Sequence, residues 1–435
     1  MAGLDTARHT KYWQRCYSSF LPSAYTANDS TRLTFAFFIV SALDLLRPSA
    51  DAATAPPPSA AQRAAVRAWV LALQHPDGGF CGSPTHALRD RPARGAANLA
   101  ATFFALLLLA LAAGGGDGDG DLAEAGAEAQ ARAAFAGVER RKLLRWLRRL
   151  QRRDGSFGQV LWEGEAVGGR DMRHSYLASC IRWMLRGEGD GAEEDIDVEG
   201  MVAHIRRCQT FDGGLAEASE HESHAGYAYC GIAALYMLDR PWSSSSAAPK
   251  EAAMKAGIGC RDRLVRFLAH RQFEYLAKQE EEGDDASDDE NFIESTLGEL
   301  NLDDGCACVG FNGRWNKKAD TCYTWWVGGT LAMLDSLDVV NAAPSQRYLV
   351  DVTQHRIGGF GKAVGSPPDI YHSYLGLAAL ALLGESGLKE FDMGLCCSRD
   401  TARKVELARA GLLEREEKKV FDEDGFWEAA GAPSR

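Results

Sequence analysis

The chain has no regular cysteine framework, no excess of basic charge and no apolar run long enough to cross a bilayer. Its eleven cysteines are scattered and odd in number, which argues against a disulfide scaffold. The N-terminus shows no charged segment followed by an apolar core. Both features point to a reducing, cytoplasmic setting. The net charge of −12 leaves no general attraction for nucleic acid or an anionic membrane, so any anionic ligand must find a local basic pocket. The longest apolar run, Leu99 to Ala113, is interrupted by a threonine and falls short of the roughly 20 residues a transmembrane helix requires. It reads as a buried helix, and no transmembrane segment is expected.

One phrase recurs. It stands at Gln74 to Phe80, Gln151 to Phe157, Gln209 to Leu215 and Gln354 to Phe360, each time as Gln, three variable residues and a glycine. A fifth copy is split, with Arg271-Gln272 at one end and Gly310-Phe311-Asn312-Gly313 at the other. The acidic stretch from Glu280 to Asp304 lies between the halves as an inserted loop.

Before the phrases, apolar residues keep helical spacing, as in Val66, Trp69, Val70, Leu73 and in Leu143, Trp146, Leu147, Leu150. Each phrase therefore ends a helix, and its glycines permit the turn that follows. A second helix rich in small and aromatic residues comes next, for example from Tyr176, Tyr227, Tyr323 and Tyr374. Helical hairpins repeated about every 45 to 80 residues must stack, because no single hairpin buries its own apolar face. An open superhelix and a closed ring both satisfy that period. The chemistry-bearing residues all lie on second helices, which favours an all-α closed ring of hairpins occupying residues 1–435 as one domain. Low-complexity insertions near 114–134 and 273–309, with Asp51 to Ala61 and Ser243 to Ala248, read as mobile decorations. The charged tail is expected to form a helix around Val405 to Lys418.

Two helix starts carry the candidate chemistry. Lys318-Ala319-Asp320-Thr321-Cys322-Tyr323 answers Pro368-Asp369-Ile370-Tyr371-His372-Ser373 about fifty residues later. Zn²⁺ accepts sulfur, imidazole nitrogen and carboxylate oxygen together, and three protein ligands leave a fourth position for a reactant. Asp320, Cys322 and His372 are thus both the metal ligands and the catalytic centre expected here. Cys322 alone would be an ordinary core residue. Its repeat position, facing His372 from an adjacent unit, is what suggests a site.

A basic cluster precedes that pair: Arg314, Lys317 and, beyond the cysteine, Tyr323. His224 and Tyr227 open the matching helix of another unit, and Arg173 does so in a third. Helix N-termini present free N–H groups to anions, and together these residues suggest a diphosphate cradle. Asp284-Asp285-Ala286-Ser287-Asp288 matches an acidic Mg²⁺ motif of terpene synthases, but among so many acids the match carries little.

With these segments in hand, the chain resembles the β subunits of protein prenyltransferases over nearly its full length. Gly310 to Tyr323 is similar to the signature in which Arg and Lys hold diphosphate and Asp and Cys bind zinc. Asp369-Ile370-Tyr371-His372 looks like the third-ligand segment, and Glu222 to Gly231, with Ala225, Gly226 and Tyr227, resembles the isoprenoid and diphosphate strip. The resemblance implies an α/α toroid, an obligate prenyltransferase α subunit, and prenylation of Cys-a-a-X proteins such as small GTPases. Within the family, the type I geranylgeranyl enzymes are the better likeness. Thr34 stands where farnesyltransferases carry tryptophan, leaving room for a fourth isoprene unit of geranylgeranyl diphosphate. Lys362 stands where farnesyltransferases carry an Mg²⁺-binding aspartate, so Mg²⁺ is not expected to be required. Tyr176 and Trp326, with Trp325, are expected along the lipid tunnel. Asn98-Leu99-Ala100 replaces the family's His-x-Ala near the pocket for the last peptide residue. A farnesyltransferase β subunit, a Rab-type β subunit and a non-enzymatic helical scaffold are the competing readings.

Overall fold

The computed structural model describes residues 3–47, 58–88, 95–114, 121–243, 251–275 and 307–429, with the backbone alone at 121–124 and 418–429. Outer helices are α1 (Thr6–Ser18), α3 (Ala60–Leu71), α7 (Arg140–Arg149), α9 (Val198–Arg207), α12 (Arg261–Ala269) and α14 (Ala342–Arg347), the last continuing through a π-helical turn, Tyr348–Thr353. Inner helices are α2 (Arg32–Leu45), α5 (Leu99–Ala112), α8 (Met172–Leu185), α10 (Ala225–Asp239), α13 (Thr321–Met333) and α15 (Ile370–Leu382). Short α4 (Pro84–Ala87), α6 (Asp121–Arg132) and α11 (Ala252–Gly257) decorate the ring, and α16 (Arg399–Ala429) ends the described chain. Strands are two or three residues long and sit in the connections.

Each inner helix packs against the next, from α2 through α5, α8, α10, α13 and α15, and α15 returns to α2. The ring is closed, as the α/α toroid requires. The inner helices are buried nearly all round, which is why their apolar residues show little sidedness. The outer helices are amphipathic: α7 buries Leu143, Leu144, Trp146 and Leu147 and turns Arg141, Arg145, Arg148 and Arg149 outward, while Arg140 is buried against Asp190 and Glu416.

The recurrent glutamine links neighbouring units. Gln74 accepts the Glu139 N–H at 2.9 Å and donates to the Gly137 carbonyl at 3.1 Å, holding the start of α7. Gln151 does the same for Asp197 ahead of α9, at 2.7 and 2.8 Å. Gln209 holds Gly259 and Cys260 ahead of α12, and Gln272 holds Asn341 and Val339 ahead of α14. One primary amide thus satisfies a donor and an acceptor that a helix start leaves unpaired. The glycine of the phrase adds a second link. A Cβ at Gly78, whose φ is +111°, would lie 2.5 Å from the Lys142 carbonyl oxygen, so only glycine lets the turn sit on α7.

The split phrase follows the same rule. Gln74 pairs with Phe80, Gln151 with Phe157, Gln209 with Leu215 and Gln354 with Phe360. Gln272 pairs with Phe311, in the register of strands β5 (Gln272–Glu274) and β6 (Val309–Phe311), so the insertion interrupts one turn without disturbing its pairing. The acidic loop itself, with the Asp284 motif, lies outside the described residues, as do residues 48–57 and 244–250 of the other low-complexity runs.

Two expectations are corrected. The stretch near 114–134 was expected to be mobile, but its described part forms α6, which packs on α16 and pairs Arg132 with Glu414. Alanine and glutamate are strong helix formers, so a partner surface is enough to order them. The C-terminal helix is longer than Val405 to Lys418. It starts at Arg399, where the Ser398 hydroxyl accepts the Thr401 N–H, and buries Ala402, Val405, Ala408 and Leu412 on one face.

At the C-terminal ends of the inner helices, β7 (Phe391–Asp392) and β8 (Cys397–Ser398) form a hairpin across the ring. Tyr229, Tyr176 and Tyr374 donate their hydroxyls to the carbonyls of Met393, Gly394 and Cys396, at 2.7, 2.9 and 2.7 Å. Arg240, capping α10, pairs with Asp392. One end is therefore floored, and the inner-helix N-termini form the other rim. Every described cysteine is free, and no helix among the described residues is long and apolar enough to cross a membrane.

The last clamp closes the circle. Gln354 accepts the Asp5 N–H at 3.3 Å and the His9 Nε2–H at 3.0 Å, while His9 Nδ1 accepts the Gly359 N–H at 3.3 Å. His9 is fully buried, and burial lowers its pKa to about 4 despite the bond to Gln354. A histidine whose folded pKa is depressed gives stability that is present above its unfolded value near 6.5 and is lost as pH falls towards 4. Between pH 7 and pH 5 this residue should cost about 2 kcal/mol of stability. Denaturant titrations of wild type and His9→Gln at both pH values check this: the variant should lose that part of the acid sensitivity.

Candidate metal centre

Five of the six inner helices begin with a side chain that caps its own first turn, and three of these caps stand at the expected site. Asp320 caps α13, accepting the Cys322 N–H at 2.9 Å; Asp369 caps α15, accepting the His372 N–H at 2.9 Å; His224 caps α10 through Nδ1, accepting the Gly226 N–H at 3.0 Å. Capping pins each side chain at the rim. Packing of α10 on α13 and of α13 on α15 then brings units distant in sequence together.

Asp320, Cys322 and His372 offer ligand atoms that all lie within 4.8 Å of one another. His372 Nε2 is 3.3 Å from Asp320 Oδ1, and its Nδ1 is 2.6 Å from Asp369 Oδ2. The second contact fixes the ring and leaves Nε2 for the cluster, the carboxylate–imidazole arrangement that supports metal ligands. The donor set, one sulfur, one nitrogen and one oxygen, fits a divalent ion with a position to spare. Electrostatics agree with a cation site. Burial lowers the affinity of His372 for its proton, but the bonds to Asp320 and Asp369 outweigh this and push its pKa to about 9. Burial pushes the Cys322 thiol up, and the Asp320 carboxylate adds to it. Burial would raise Asp320 too, yet the bonds from His372 and Cys322 keep its pKa low.

Tyr323, next to Cys322, links this cluster to other residues expected at the site. Tyr323 places its hydroxyl 3.0 Å from His224 Nε2. Since Nδ1 already accepts a backbone N–H, the neutral ring carries its proton on Nε2 and donates it, leaving the tyrosine O–H free to donate outward. Burial, then Arg314, hold the His224 pKa below its usual value. Tyr227 packs 5.2 Å from the His224 ring, and Ala225 donates its N–H to the Gly313 carbonyl at 2.8 Å. A Cβ at Gly226 would lie 3.1 Å from that ring, which favours the smallest residue. Arg314 pairs with Glu222 at 2.6 Å, and Arg173 is bonded by both oxygens of Asp171. Lys317 is exposed on the same loop. Lys362 is exposed, and its carbonyl accepts the Thr321 N–H, so it stands beside the start of α13.

Other expected residues lie deeper or elsewhere. Trp326 is half-buried, and its Nε1–H reaches the Tyr371 hydroxyl at 3.1 Å. Tyr176 faces the floor, bonded to Gly394. Trp325 is wholly buried between Tyr229 and Phe391. Thr34 is half-buried in the first turn of α2. Asn98 caps α5, its Oδ1 accepting the Ala101 N–H at 2.8 Å, so a structural duty accounts for it. Three acids were missed in the sequence: Asp369, Asp171 and Glu222. Asp369 stands three residues before His372, the spacing that puts two side chains on one helical face, and that was a usable signal.

A family model described as the prenyltransferase alpha-alpha toroid domain matches residues 4–397. The chain is 28% identical over 410 residues to the geranylgeranyl transferase type-1 subunit beta of Arabidopsis thaliana, covering 89% of this chain and 87% of that one. It is 25% identical to the same subunit of Dictyostelium discoideum, covering 87% and 90%. A solved structure of Candida albicans protein geranylgeranyltransferase-I complexed with GGPP superposes with a TM-score of 0.70 at 24% identity, over 94% of this chain and 99% of that one, a likeness of fold. Replacing Asp369 by Asn should weaken metal retention by about 10- to 100-fold, as read by competition with a chelator.

Proposed function

The chain belongs to the prenyltransferase alpha-alpha toroid family, and from that premise we propose that it is the β subunit of a zinc-dependent protein geranylgeranyltransferase type I. It would act in the cytoplasm as an obligate heterodimer with a prenyltransferase α subunit. Its substrates would be geranylgeranyl diphosphate and proteins ending in Cys-a-a-X, often with leucine last, small GTPases among them. The observation that carries the reading is the convergence of Asp320, Cys322 and His372 within 4.8 Å at the rim where the His224–Tyr323 pair and Arg314 also gather.

Zinc held by those three residues would offer its remaining position to the substrate thiol and lower that thiol's pKa, so that a thiolate is present at neutral pH. Asp369 would hold His372 in its ligating orientation. The remaining work is charge stabilisation. Arg173, Arg314, Lys317, Tyr323 and Lys362 would donate to the diphosphate as the bond to the lipid's first carbon breaks and negative charge collects there, and His224 would act through the Tyr323 hydroxyl it supports. Arg173 and Arg314 are each held by an acid, Asp171 and Glu222, which keeps the guanidinium groups oriented at the rim before an anion arrives. Lys362 would supply fixed charge in place of Mg²⁺. The lipid tail would run down into the ring past Tyr227 and Trp326, with Thr34 leaving space for the longer chain and Tyr176 near the floor.

Co-expression with a prenyltransferase α subunit, elemental analysis and prenylation of a Cys-a-a-Leu peptide test this. Zinc should be found at one per heterodimer, activity should persist without Mg²⁺, and geranylgeranyl diphosphate should be preferred. Preference for farnesyl diphosphate would favour a farnesyltransferase instead. Thr34→Trp should shift preference towards the shorter lipid, and Cys322→Ala should abolish both zinc binding and transfer. Zinc uptake should also release protons. At pH 7 the raised pKa values of His372 and Cys322 keep both protonated without metal, and both must be deprotonated to ligate. Zinc affinity should therefore rise with pH, by about tenfold per unit for each proton released, as titration calorimetry in buffers of different ionisation enthalpy would read.

A further inference from the structure

Arg271 immediately precedes the clamp glutamine of the interrupted turn. The matching positions elsewhere are Leu73, Leu150, Cys208 and Thr353, all buried. Here the slot holds a fully buried guanidinium whose Nε, Nη1 and Nη2 have no hydrogen-bond partner among the described residues. A buried charge without hydrogen bonds is costly, so this arginine needs compensation from another kind of contact. Two rings provide it: Cζ lies 4.9 Å from the centre of Phe267 and 4.0 Å from that of Trp315. Cation–π attraction is strongest where both groups are shielded from water.

Trp315 itself is half-exposed, and its Nε1–H reaches Asp212 Oδ2 at 3.4 Å. Asp212 belongs to the turn of the preceding unit, where it also accepts the Ser223 and Thr210 hydroxyls and the Gly214 N–H, so it is a rigid abutment. The tryptophan lies at the centre of the loop 313–317. The loop's ends are pinned separately: the Gly313 carbonyl accepts the Ala225 N–H, and the Lys317 carbonyl accepts the Asn312 side-chain N–H at 2.8 Å. Between them Asn316 has φ +55°, a left-handed bend that asparagine adopts more readily than most non-glycine residues. Arg314 and Lys317 stand on either side of Trp315 and Asn316.

We propose that Trp315, stacked on buried Arg271 and bonded to Asp212, is a positioning residue that holds the bend of loop 313–317 so that Arg314 and Lys317 converge on one diphosphate. The inference rests on the transferase reading above, since it concerns the same anion. Arg271 acts through the tryptophan and touches no substrate. Its place in a slot otherwise buried and uncharged is accounted for by this brace.

The test uses the heterodimer with its α subunit, and reads affinity for geranylgeranyl diphosphate, competition by inorganic diphosphate, peptide KM, zinc content and Tm. Trp315→Ala should weaken both diphosphates by about tenfold, with zinc at one per heterodimer and peptide KM within about twofold of wild type. Trp315→Phe keeps a ring over Arg271 and should remain within about threefold. Arg271→Met should act in the same direction as Trp315→Ala. The brace is refuted if Trp315→Ala binds both diphosphates as wild type does, if Trp315→Phe is as weak as Trp315→Ala, or if only the lipid form is affected. A wild-type heterodimer that binds neither geranylgeranyl nor farnesyl diphosphate is a distinct failure, and it removes the transferase reading together with the brace.

Discussion

The primary amide of a glutamine, bonded to both a donor and an acceptor at the start of the next outer helix, is the contact on which this structure depends. Four such amides, at Gln74, Gln151, Gln209 and Gln272, run round the outer layer, and a fifth, Gln354, accepts two donors at the start of α1 instead. Each ties the turn within one hairpin to the beginning of another, so the angle between successive units is set by hydrogen-bond geometry as well as by packing. Repeated five times, that angle brings the last turn back to α1, where His9 and Gln354 complete the circle. A ring so closed has its inner-helix N-termini on one rim and the floor hairpin on the other. Everything chemical follows from which rim is open.

The open rim concentrates groups that helix starts naturally present. Unpaired N–H groups, capping carboxylates and a capping imidazole all occur where a helix begins. Asp320, Asp369 and His224 are therefore local stabilisers of α13, α15 and α10 and members of the site at once. This dual duty explains how an acidic protein gathers carboxylates, imidazoles and arginines at one rim. Carboxylates collect around His372, whereas the arginines are tethered by Asp171 and Glu222, each buried or paired closely enough to fix the opposite charge. The two subsites differ in which sign lies nearest the centre.

Much of this was readable from residue patterns. The four intact phrases announced the hairpins, and the split copy was recognisable from Gln272 and Phe311 although an acidic insertion separates them. The Asp320–Cys322 and His372 segments were visible as matching helix starts. Other parts were hidden for identifiable reasons. The helix α6 has a composition shared by disordered linkers, and only the face of α16 distinguishes the two. The cap that Asn98 gives to Ala101 cannot be seen without the backbone. Arg271 stood out only as one end of the split phrase, since nothing in the sequence reveals that Phe267 and Trp315 enclose it.

The amino-acid order by itself determined the secondary structure, the number of repeated turns and the residue types available for chemistry, because helical periodicity, glycine turns and capping act over a few residues. Only the tertiary structure decided that the hairpins close into a ring, that Asp320 and His372 meet across two units, and that Asp369 orients the imidazole. Those outcomes depend on distances between residues remote in the chain, and such distances are set by the summed angles of packed helices, which no local pattern encodes.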